Sequence, residues 1–159
     1  MEQGTIRQLY QEHGPALLLY ARSLLRDVSA AEDVLQQVFV RLLEKNLPEP
    51  AEPRPYLFRA VRNGALNWRR DAPRDARLDA AAWFVSVPPG REEGDGERLR
   101  AALDALPEDQ REVVVMKVWG GLTFEEVADS LGIPANTAAS RWRYGLEKLK
   151  SQMAMERVR

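Results

Sequence analysis

Two clusters of side chains in this 159-residue chain have types and spacing suited to chemistry, and in both it is recognition of nucleic acid. The first comprises Arg59, Arg62, Asn63, Asn67, Arg69 and Arg70, with Tyr56, Phe58 and Trp68 interleaved. Guanidinium groups neutralise phosphates, amides reach the pairing edges of bases and aromatic rings offer stacking faces, a mixture that suits a single strand. A solvated helix with its aromatics in the core has the same pattern. Leu57 and Trp68 are expected there, whereas Tyr56 and Phe58 fit either role.

The second cluster is Asn136, Thr137, Ser140, Arg141, Arg143 and Lys148. It follows a short segment with Phe124, Val127 and Ala128 at helical spacing and a turn, Leu131-Gly132-Ile133-Pro134. Ala138, Trp142, Leu146 and Leu149 then form the apolar stripe of a second helix, capped by Asn136 or Thr137. One face packs while the other presents donors to base edges and phosphates, the layout of a helix-turn-helix. A plain helical hairpin with a solvated basic face is the competing reading. A third polar face, Glu32, Asp33, Gln36, Gln37 and Arg41, reads by default as solvated, but the apolar ring of Phe39 among these positions suits contact with another protein.

Catalysis has little to work with. The chain has one histidine, His13, in a polar stretch where a surface or helix-end position is expected, and no cysteine. A Ser-His-Asp triad, a multi-histidine metal site and thiolate chemistry therefore have no support, and neither phosphate-binding glycine pattern occurs. No catalytic residue, metal or cofactor is expected. No apolar run approaches the roughly 18 residues of a membrane span, and the polar N-terminal stretch lacks a signal-peptide layout, so a cytoplasmic protein without membrane insertion is expected.

A net charge of −1 disfavours a histone-like binder but hides a pattern. Residues 54–78 carry seven basic and two acidic groups (+5) and residues 136–159 six and two (+4), whereas residues 101–135 carry two and seven (−5). Polyanion contacts should concentrate in the two basic blocks.

The elements that must position these clusters read as helices throughout. Thr5 to Gln8 reads as a capping box opening a first helix, punctuated at Gly14-Pro15 and continued by Ala16 to Leu25. Ser29 to Glu32 opens a second that ends near Lys45; four prolines between Asn46 and Pro55 predict a stiff loop; a third runs from about Tyr56 to Arg70. Prolines and glycines accumulate from Asp71 to Gly96, a linker whose apolar island Trp83-Phe84-Val85 fits either folding back or docking a partner. Helices resume at about 97–106, 108–118, 123–131 and 136–152, with Thr123 to Glu126 as a further capping box. The expected fold is all-α: two small helical domains, 1–71 and 97–159, joined by a flexible linker over 72–96, the second a helix-turn-helix. Gly64, inside the third helix, is unexpected at a cost of about 1 kcal/mol relative to alanine.

Tyr10, Leu25-Arg26-Asp27, Ala31-Glu32-Asp33-Val34, Gln37, Phe39, Tyr56-Leu57-Phe58-Arg59 and Arg62-Asn63 together resemble the first conserved domain of the extracytoplasmic-function sigma factors of bacterial RNA polymerase. Leu103, Leu106-Pro107, Gln110-Arg111-Glu112-Val113 and the helix-turn-helix resemble their second domain, so that the likeness covers about 130 of 159 residues. The resemblance implies a non-enzymatic factor that directs core polymerase to promoters. Asp33, Gln36, Gln37 and Phe39 would dock on the clamp helices of the largest subunit. The proline-rich loop, Asn63 and the neighbouring arginines would capture unpaired −10 bases, and the last helix would read the −35 duplex. The flap of the second-largest subunit and an anti-sigma protein are further partners it implies. The last helix departs from the family at Ala139, Tyr144 and Leu146, where basic residues are usual, and has Arg143 instead, so an unusual base preference or weaker duplex binding is expected. A free-standing helix-turn-helix regulator is the alternative, and the N-terminal half, which such a regulator does not need, discriminates against it.

Overall fold

The computed structural model describes residues 1–72 and 95–158; Trp83-Phe84-Val85 and most of the expected linker lie outside them. Among the described residues the chain forms seven helices: α1 (Gln3–Leu25), α2 (Val28–Lys45), α3 (Pro53–Asp71), α4 (Asp95–Ala105), α5 (Glu108–Val118), α6 (Phe124–Leu131) and α7 (Ala135–Val158). α1, α2 and α3 pack on one another, as do α4 to α7. The two groups also meet, α1 lying against α5 and α3 against α6.

Helix α1 runs unbroken through Gly14-Pro15, where a break was expected. Pro15 is exposed, and the carbonyl its ring leaves without a donor belongs to Gln11, also exposed, so the lost bond falls on the solvent side while Leu17 and Tyr20 hold the helix in the core. His13 is accordingly mid-helix and half-buried. The first cap is Glu2 with no side-chain hydrogen bond, not a Thr5 box. Helix α2 likewise starts earlier, its cap two residues before the expected one, because Asp27 accepts hydrogen bonds from the backbone of Ser29 and Ala30. Pro53 and Pro55 belong to the first turn of α3 rather than to the loop, since a helix start needs no N–H from them.

The α2–α3 contact explains Gly64. A Cβ there would stand 3.0 Å from Val34 Cγ1, so the small residue sets how closely the two helices approach. Helix α5 is buried on all sides: Arg111, Glu112, Val113, Val114, Val115 and Met116 are consecutive buried positions, with α1 against one face and α6 and α7 against others. Thr123 caps α6 in a complete capping box, and Gly132 ends it at φ 67°, a left-handed conformation that glycine adopts without strain. Pro134 O accepts from Ala138 N, so α7 begins before Asn136 and Thr137. Neither residue is the cap; both stand in the first turn.

Candidate nucleic-acid and polymerase interfaces

Helix α3 buries Leu57, Phe58, Val61 and Ala65, which settles Phe58 as core, tilted against Tyr20 with ring centroids 5.3 Å apart. Tyr56 and Trp68 are half-buried at the core's edge. The polar residues of α3 divide into two rows. Asn63, Asn67 and Arg70 are exposed, Arg70 pairing with the adjacent Asp71 at 3.2 Å. Arg62 and Arg69, seven residues apart and so on one stripe, turn toward the C-terminal helices instead.

There they meet the acidic block. Arg62 Nε donates to Glu112 Oε1 at 3.0 Å, and Tyr20 Oη donates to the same oxygen at 2.7 Å. Arg69 pairs with Glu108, Arg59 with Asp129 at 3.8 Å, and Arg54 Nη1 donates to the Gly121 carbonyl at 3.5 Å. Glu112 is only 7% exposed. Burial and the neighbouring carboxylate push the Tyr20 hydroxyl well above its ordinary pKa. Burial works against the charge of Arg62, but Glu112 outweighs it and raises its pKa. The Arg59–Asp129 pair is open to solvent and contributes little by itself.

A second knot lies where α1 meets α4 and α5. Arg111, 4% exposed, donates to the Ser23 carbonyl at 2.6 Å and the Leu106 carbonyl at 3.3 Å, and Arg26 donates to the Asp104 carbonyl at 3.3 Å. Burial pushes the Asp104 carboxyl up to about 6, against the pull of Arg111, Arg26, Arg100 and Arg22. Neither knot is legible in the sequence as a site; Arg111-Glu112 closes a polar stretch just before the apolar run Val113 to Met116.

On α2, Asp33, Gln36 and Gln37 are exposed as expected, but Phe39 is 6% exposed and packs edge-on against Tyr10 at 5.1 Å. Phe39 is a core residue that fixes α1 on α2, and its ring is not available to a partner. The exposed apolar groups of this helix are Val40 and Leu43, which no motif in the sequence marks. Asp33, Gln36, Gln37 and Asn67, assigned to different partners on sequence, line one groove of about 670 Å³ between α2 and α3, floored by Gly64 and Trp68.

On α7, Asn136, Arg143 and Lys148 are exposed and Thr137 and Ser140 half-exposed. Arg141 is drawn toward α5 by Asp109 at 3.6 Å, and Trp142 and Leu146, both half-buried, line an open groove with Phe124, Trp142 packing against the edge of the core. Among the described residues no three or more His, Asp or Glu gather as a metal site, and no helix is long and apolar enough to cross a membrane.

Two family profiles match the two helical groups: Sigma-70 region 2 over residues 9–75 and Sigma-70, region 4 over residues 96–149. The chain is 30% identical over 147 residues to the ECF RNA polymerase sigma factor EcfG of Rhodopseudomonas palustris, covering 89% of this chain and 81% of that one. It is 30% identical over 156 residues to the RNA polymerase sigma factor CarQ of Myxococcus xanthus, covering 93% and 88%. Among solved structures, RpoE of Bartonella quintana, in complex with the anti-sigma factor NepR, superposes with a TM-score of 0.75 at 23% identity, covering 96% of this chain and 98% of that one. CnrH, in complex with the cytosolic domain of CnrY, superposes at 0.64 with 26% identity, covering 97% and 90%. The chain therefore belongs to the extracytoplasmic-function sigma factors of the sigma-70 family, RNA polymerase factors for promoter-specific transcription initiation.

Proposed function

We propose that residues 1–71 bind core polymerase and the unpaired −10 strand, and that residues 97–159 read the −35 duplex, with 72–96 connecting them. The exposed face of α2, with Asp33, Gln36, Gln37 and Arg41 around Val40 and Leu43, carries the docking to the clamp; Phe39 acts beneath it by holding α1 and α2 together. Asn63 and Asn67 offer amides to unstacked bases, and Arg59, Arg62, Arg69 and Arg70 neutralise the strand. Asn136, Thr137, Ser140, Arg143 and Lys148 face the duplex, and Arg141 joins them on leaving Asp109. The protein supplies positioning and binding and has no reaction of its own, consistent with the regulatory DNA-binding family to which it belongs. A cytoplasmic location follows from that role. The Bartonella relative is held by an anti-sigma factor, and a protein of that class is the expected regulator here.

The observation that carries this division is the pairing of Arg59, Arg62 and Arg69 with Asp129, Glu112 and Glu108. Those arginines bind anionic groups in the closed chain, and the same groups must be released before phosphates can replace the carboxylates. Run-off transcription with core polymerase on a promoter library tests the reading. Enrichment of two sequence blocks, dependent on core, supports it; tight sequence-specific duplex binding by the free protein supports a stand-alone regulator instead.

A further inference from the structure

Tyr144 is 53% exposed, the most exposed of the large hydrophobic side chains among the described residues, and it lies on the helix proposed to present donors to duplex DNA. Thr137, Ser140, Arg141, Tyr144 and Lys148 recur at intervals of three, four and seven residues, so they form one stripe with the tyrosine at its middle. Two features fix the ring. The next residue, Gly145, is buried against α5, where a Cβ would stand 2.9 Å from Val114 Cγ2, so the backbone beside Tyr144 cannot drift outward or roll. The Arg143 guanidinium lies 5.3 Å from the ring centroid, within cation–π range. Arg141, the cation one turn earlier on that stripe, is turned aside toward Asp109. The middle of the stripe thus presents an aromatic ring, flanked by the Arg143 guanidinium, in place of a cation of its own.

In the major groove the apolar group a base pair presents is the thymine 5-methyl. We propose that Tyr144 is a specificity-determining residue that reads a thymine methyl in the upstream promoter element. This rests on the assignment of α6–α7 to the −35 duplex. The contact is van der Waals, made by ring carbons; the phenolic oxygen is not required. A preference for an A·T pair at one position then replaces the guanine preference that an arginine confers.

The test uses holoenzyme and a promoter duplex selected from a randomised library, with each upstream thymine on either strand replaced in turn by deoxyuridine, which removes only the methyl. The wild-type protein should lose about fourfold in affinity at one position, the equivalent of one buried methyl group. Tyr144→Phe should show the same sensitivity, and Tyr144→Ala should bind the thymine and uracil duplexes alike. Two results overturn the inference: a Tyr144→Ala protein as methyl-sensitive as wild type, or equal, position-independent losses in Tyr144→Phe and Tyr144→Ala, which mark a phosphate contact through the hydroxyl. If wild-type holoenzyme protects no upstream duplex, the −35 assignment itself fails. If it protects the duplex and every uracil swap is silent, only the tyrosine inference fails.

Discussion

Tyr20 of the N-terminal group and Arg62 of α3 donate to one oxygen of Glu112, a buried carboxylate from the C-terminal group. A residue proposed to bind DNA is thereby committed to a partner within its own chain. Replacing Glu112 by Gln keeps an acceptor for Tyr20 but removes the charge that holds Arg62. The variant should lose about 1–3 kcal/mol of stability in thermal melts, because the guanidinium is left half-buried without its counter-charge. Free Glu112→Gln protein should also bind a −10 single strand more tightly than wild type in fluorescence anisotropy, with a steeper salt dependence.

The docking face separates two kinds of substitution that look alike in sequence. Phe39→Ala should cost about 3–5 kcal/mol of stability, as expected for a buried ring. Its effect on polymerase binding should follow that loss of fold. Val40→Ser with Leu43→Ser should leave the melting temperature nearly unchanged and weaken capture of core polymerase. Equal capture by the serine variant would move the docking surface elsewhere.

Gly64 sets a steric relation that mutational coupling can measure. Alanine gains about 1 kcal/mol of helix propensity but forces a contact of 3.0 Å with Val34 Cγ1, for which overpacking costs about 1–3 kcal/mol. Gly64→Ala should therefore be destabilising alone and less so in the Val34→Ala background. Additive losses in denaturant melts would show that the helices relax apart freely.

Asp104 gives a pH dependence of unusual sign. Its folded-state pKa is raised from 3.8 to about 6, so the folded protein binds the extra proton between those values. The contribution to stability is present below about pH 4 and is lost as the pH rises through 6. The difference in melting temperature between wild type and Asp104→Asn should therefore shift against wild type from pH 4.5 to pH 7. A difference that does not change with pH contradicts the burial of this carboxyl.

Helix existence and order, the Thr123 box, the Gly132 turn and both sigma-factor likenesses were legible because they depend on local spacing and capping. What was not legible depends on partners distant in sequence. Phe39 lies among polar neighbours and reads as exposed until Tyr10 is placed over it. Pro15 reads as a break because the gain from burying Leu17 and Tyr20 is tertiary. Arg59, Arg62 and Arg69 read as free cations because their carboxylates come from 39 to 70 residues further on, in a block recognisable only by its net charge.

The division of labour between α3 and α7 is tested most directly by permanganate footprinting of promoter duplex with holoenzyme, read beside protection of the upstream element. Asn63→Ala should lower thymine reactivity in the −10 region while upstream protection persists, with only partial rescue on a pre-melted bubble. Arg143→Ala should weaken upstream protection by about 1–3 kcal/mol if it touches a base edge, and leave melting intact once the complex is bound. Melting untouched in Asn63→Ala but abolished in Arg143→Ala would take −10 melting away from α3.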